Sequence, residues 1–125
     1  MKTFDFSAIE FNESKAEPQL EHIYYPFDND KDIYVECSYM TNADTHKYIK
    51  FSDGETSINY EAIIKDKVKS ISGLTAVFKE KEVDVTKNML LSLPMNGTIS
   101  VLISKIVSHL MDSNALSEDE EKNSD

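Results

Sequence analysis

The sequence predicts an α+β domain: a small antiparallel sheet with hairpins, three to four helices, and a long amphipathic C-terminal helix. Three observations predict it. Strict alternation over 32–40 puts Ile33, Val35, Cys37 and Tyr39 on one face, which is the period of a half-buried strand. Ile99, Leu102, Ile103, Ile106, Val107, Leu110 and Met111 recur at three- and four-residue spacing, an apolar stripe along a helix of about four turns. Pro26, Gly54, Gly73 and Pro94 punctuate the chain between shorter elements.

Taken in order, Phe4, Phe6 and Ala8 alternate, Ile9 and Phe11 follow, and the polar stretch 12–18 reads as a mobile linker. Residues 1–18 are thus an arm and linker. The arm either lies on the domain's own core or adds main-chain bonds to a sheet edge of another subunit. A strand over 19–27 carries Leu20, Ile23 and Tyr25, and Pro26 marks its end. The run Asp28-Asn29-Asp30-Lys31-Asp32 has the opening of a calcium loop. Ile33 and Tyr39, however, stand where that loop needs a glycine and a bidentate glutamate, so a polar hairpin connection is the better reading. Cys37, among inward positions, reads as a small core residue.

Thr41 offers a cap for a helix over 42–51, and Ser52-Asp53-Gly54-Glu55 is a turn. A second helix is expected over 57–72, carrying Tyr60, Ile64, Val68 and Ile71 and closed by Gly73. A hairpin over 75–85 has Lys79-Glu80-Lys81-Glu82 at its tip, with no Gly or Asn to relax the turn. Thr86 caps a short helix through Met89, Leu90, Leu91 and Leu93, halted by Pro94. Asn96 or Thr98 starts the closing helix over 98–112. The domain spans 19–116. The stretch 117–125, with five acids and one base, reads as a disordered acidic tail.

Composition bounds the function. The 125 residues make one domain's worth of chain, with mean hydropathy −0.43. Thirteen lysines against 23 acids give a net charge of −10, and such an anion is repelled by phosphate backbones, so nucleic acid is not the expected partner. Every basic residue is lysine, which removes bidentate capture of phosphate or carboxylate. No run approaches a membrane helix, and Asp5 and Glu10 break the order of a signal peptide. One cysteine allows neither an intrachain disulfide nor a cysteine metal cluster, which suits an intracellular protein.

Chemistry-bearing motifs are scarce. His22, His46 and His109 are far apart in sequence, and none has the i+4 partner of a helical zinc site. No phosphate loop, dinucleotide fingerprint or nucleophile elbow occurs. The expectation is a non-enzymatic protein with no cofactor and no metal. The stripe on the closing helix has two uses, core packing or contact with a partner or a second copy, because few other long helices are present to cover it. The candidate partner-binding residues are therefore Ile99, Leu102, Ile103, Ile106, Val107 and Leu110, together with Phe4 and Phe6 of the arm.

The strand over 33–40, the cap at Thr41, Val68-Lys69-Ser70-Ile71-Ser72-Gly73-Leu74, a hairpin ending at Val85-Thr86, and Leu90-Leu91-Ser92-Leu93-Pro94 follow one another in a recognisable order. With the amphipathic helix and Leu116-Ser117-Glu118-Asp119-Glu120-Glu121-Lys122-Asn123-Ser124, they resemble small tail assembly chaperones of tailed bacteriophages over 32–124. The hairpin departs from that pattern, with Lys79 to Glu82 where such proteins carry Asp and Gly. The resemblance implies a phage protein of the host cytoplasm that coats an apolar, helical tape measure protein and recruits tail subunits. Two other readings stay open. One is a structural virion component, such as a head–tail connector or accessory capsid protein, that uses the N-terminal arm. The other is an acidic nucleic-acid mimic that inhibits a host protein.

Overall fold

The first pairing is local. Asn12 accepts hydrogen bonds from the Ser14 hydroxyl (2.8 Å) and the Lys15 amide (3.2 Å), and Ala16 takes a positive φ of 54°. These features fold the stretch expected as a linker into a hairpin of β1 (Glu10–Asn12) and β2 (Glu17–Gln19). The structure, a computed structural model, describes residues 2–111. The expected acidic tail, the last residue of the closing helix and the end of the 19–116 domain lie outside them.

The fold class is α+β, as the patterning predicts. At its centre, β3 (Glu21–Tyr24) pairs antiparallel with β4 (Tyr34–Ser38) through the Asp-rich connection. Val35 and Cys37 of β4 face inward, so the alternation reads true. A 3₁₀ turn over Asn42–Asp44 and α1 (Thr45–Tyr48) follow, opened by a capping box. The Thr41 hydroxyl accepts from the Asp44 amide, and the Asp44 carboxylate accepts from the Thr41 amide at 2.8 Å.

The structure differs from the expected helices in two places. Where a helix was expected to reach Phe51, the chain turns extended at Ile49. It forms a hairpin of β5 (Ile49–Ser52) and β6 (Glu55–Ile58) around the Asp53-Gly54 turn. The helix expected over 57–72 is shorter as well. Asn59 caps α2 (Tyr60–Lys67), and Val68–Ser72 is β7, the third strand of the central sheet, in the order β3-β4-β7. Val68 and Ile71 are three apart, the spacing of a helix face; on a strand a register shift opposite Glu36 and Cys37 is needed to set them across from Cys37 and Val35, both inward residues of β4. The Lys87 ammonium donates to the carbonyls of Lys65 and Val68 (2.9 and 2.7 Å), satisfying the end of α2.

The last hairpin, β8 (Thr75–Phe78) and β9 (Lys81–Asp84), turns on Lys79 and Glu80, both at positive φ. Thr86 caps α3 (Lys87–Ser92), and the Asn96 side-chain Oδ1 accepts from the amides of Thr98 and Ile99 at the start of α4 (Gly97–Met111). The core lies between the central sheet, α2 and α4, and includes Val35, Ile63, Ile64, Val68, Leu90, Leu102, Ile106 and Leu110. The Leu110 carbonyl accepts from the Met40 amide at 3.2 Å and fastens the end of α4 to the end of the central hairpin. No helix among the described residues is long and apolar enough to cross a membrane.

Candidate functional site

Two places on the molecule carry groups that fold stability alone does not explain. The first is a groove between α2, α3 and α4. Burial of one side of α4 leaves its flank turned toward the chain that links α3 to α4. A groove of about 360 Å³ results, lined by Tyr60, Leu91, Leu93, Met95, Ile99 and Ile103 among others. Met95 is 97 % exposed, which costs a large apolar side chain its favourable burial.

The stripe of candidate partner-binding residues is thereby divided. Leu102, Ile106, Val107 and Leu110 are buried in the core and present nothing to a partner. Ile99 and Ile103 are half-buried and line the groove. Phe4 and Phe6 are 61 % and 45 % exposed on the segment before β1. The core use of the stripe thus prevails along most of α4, because the central sheet and α2 supply the cover that the sequence did not make evident.

The second place joins residues that the sequence keeps apart. His22 of β3 sits directly across from Cys37 of β4 in the antiparallel register, so both side chains leave the same face of the sheet. His109, one residue before the Leu110 anchor, projects from α4 onto that face. Nε2 of His109 lies 2.6 Å from Nε2 of His22, and Sγ of Cys37 lies 3.5 Å from the same His22 nitrogen. The three atoms fall within 4.8 Å of one another. Comparison of the chain with protein families, with curated proteins and with solved structures finds no match. What the two places do must therefore be read from their chemistry.

The rings of the second place are held firmly. Nδ1 of His22 donates to the Leu20 carbonyl at 2.8 Å, and the ring stacks on Tyr39 with centroids 3.8 Å apart. The His109 ring stacks on Tyr24 at 3.9 Å. Burial lowers the pKa of His22, an effect opposed by its bond to Leu20. Burial first, and then the neighbouring His22, pushes His109 down to about 4. Burial pushes the Cys37 thiol up to about 12. Both imidazoles are therefore neutral at pH 7, and Cys37 is a thiol and not a ready nucleophile. Two nitrogen donors and one sulfur donor converge, a set that suits a borderline-soft cation.

The expectation of no metal rested on linear spacing, whereas the fold brings His22, Cys37 and His109 together. A signal was present in the sequence. A hairpin centred between Asn29 and Asp30 pairs residue 22 with residue 37. His46, the third histidine, stands exposed and apart on α1.

Proposed function

We propose that this chain is a non-enzymatic assembly chaperone or adaptor, of the kind found in tailed-phage tail assembly, that shields an apolar helical segment of a partner such as a tape measure protein. The groove beside α4 carries the reading. Its rim combines the almost fully exposed Met95 with Leu91, Leu93, Ile99 and Ile103, an apolar channel flanked by helices into which another helix can lay one face. A net charge of −10 keeps such a complex dispersed while the greasy segment is covered. Methionine at the rim suits a partner with a long, repetitive apolar surface, since its flexible side chain adapts to varied shapes.

A second reading, a structural virion component, is favoured by a different observation. Phe4 and Phe6 are exposed aromatics on a segment that the central sheet does not pair, as an arm destined for a neighbouring subunit would be. Mass spectrometry of purified particles and of intracellular assembly complexes distinguishes the two. The chaperone reading expects the chain in complex with the tape measure protein and absent from particles. Its presence in particles at fixed stoichiometry would overturn that reading in favour of the second.

A further inference from the structure

We propose that His22, Cys37 and His109 form a zinc site that pins α4 to the central sheet. Its ligands come from three separate elements, β3, β4 and α4, and meet on one face. The His22 tautomer is settled by geometry. A carbonyl only accepts, so Nδ1 facing Leu20 carries a proton and the lone pair of the neutral ring lies on Nε2. An outer partner that fixes the ring in this way is the usual companion of a histidine ligand. Two nitrogen lone pairs cannot face each other at 2.6 Å, so a proton or a cation lies between these nitrogens.

Of the three separations, one already suits a cation and two need adjustment. With Zn–N of about 2.0–2.1 Å and Zn–S of about 2.3 Å, a tetrahedral ion holds its ligand atoms about 3.3–3.6 Å apart. The separation of Sγ from the His22 nitrogen, 3.5 Å, already falls in that range. The two nitrogens need to part by about 0.7 Å, and the widest separation, 4.8 Å, needs to close by about 1.2 Å, a swing of the His109 ring away from His22 and toward Cys37. His22 and Cys37 line a cleft of about 540 Å³ with Glu21 and Glu36, which gives the ion a way in and brings water within reach of its fourth position. Lys67, Lys69 and Lys87 on the same cleft are balanced by Glu21, Glu36 and Asp66, leaving no strong field against a cation. On binding, the Cys37 S–H bond breaks, the S–Zn bond forms and the proton passes to the buffer. No electron is exchanged.

The test uses the full chain, stripped with chelator and titrated with Co²⁺ alone and then with Zn²⁺. The expected result is one equivalent of Co²⁺ giving the intense visible bands of a four-coordinate site and a near-ultraviolet thiolate-to-cobalt band, both bleached by Zn²⁺. Cys37→Ser should abolish the thiolate band. His22→Gln and His109→Gln should each weaken binding by more than the roughly 10–100-fold typical of losing an outer-shell partner. His46→Gln should leave binding unchanged. Because a core variant can unfold, zinc-edge X-ray absorption on the unaltered chain gives an independent reading, with one sulfur at about 2.3 Å and nitrogen or oxygen at about 2.0 Å expected. Failure to bind either ion, or a bound ion with no sulfur neighbour, would overturn the proposal and reduce the cluster to a histidine pair hydrogen-bonded beside a thiol.

Discussion

Gly73 turns the chain from β7 into β8 with a φ of +85°, and a Cβ there would run into the backbone carbonyl of Asp32. Both the left-handed conformation and the close approach exclude a side chain. Gly73→Ala should therefore cost about 2 kcal/mol or more, read as a lower midpoint in urea with an unchanged slope. Asp44 is a second residue whose surroundings set a measurable effect. Burial by itself would raise its carboxyl, but hydrogen bonds from Lys67 and Thr41 outweigh that and hold it below the ordinary 3.8. The lysine ammonium lies 2.8 Å away. A carboxyl lowered on folding stabilises the protein above the unfolded-state value, and the contribution is lost as pH falls through the folded-state value. Asp44→Ala should thus cost about 1 kcal/mol at neutral pH through the lost cap. Its deficit relative to the unaltered chain should shrink below about pH 4 in denaturation curves taken across that range.

At the scale of elements, period and capping were legible and sheet partnership was not. The alternation of β4 and the stripe of α4 each depend on a single face, so local spacing reveals them. The cap at Thr86 and the break at Pro94 also read directly, because side-chain chemistry fixes those ends without help from elsewhere, and of the two starts open for the closing helix, Asn96 and Thr98, the structure uses Asn96. Val68–Ser72 did not read directly, since its apolar residues are spaced as on a helix and share a strand face only through the register shift in the pairing with β4. The histidine–cysteine cluster failed for a related reason: its members converge only through strand register and the docking of α4. The hairpin of β8 and β9 gives this scale its own test. Lys79 and Glu80 both occupy positive φ, where Asn-Gly is the preferred pair. Replacing them with Lys79→Asn and Glu80→Gly should stabilise the domain by about 0.5–1 kcal/mol, visible as a raised thermal midpoint.

Across the whole molecule, the apolar surface is unevenly spent. The inner face of α4 closes the core against the central sheet and α2, while its flank and the chain before it remain open as a groove rimmed by Met95. Small antiparallel sheets of two or three strands surround this core, and exposed aromatics such as Phe51 and Phe78 stud the hairpins. The division separates the face that folds the domain from the face proposed for binding, and so lets one be altered without the other. The decisive measurement is Met95→Asp in co-expression with a tape measure protein of the kind proposed as partner, monitored by sizing with light scattering. The account predicts that the variant keeps its circular dichroism spectrum and its melting midpoint, yet no longer holds the tape measure protein in solution. A soluble complex indistinguishable from that of the unaltered chain would contradict it.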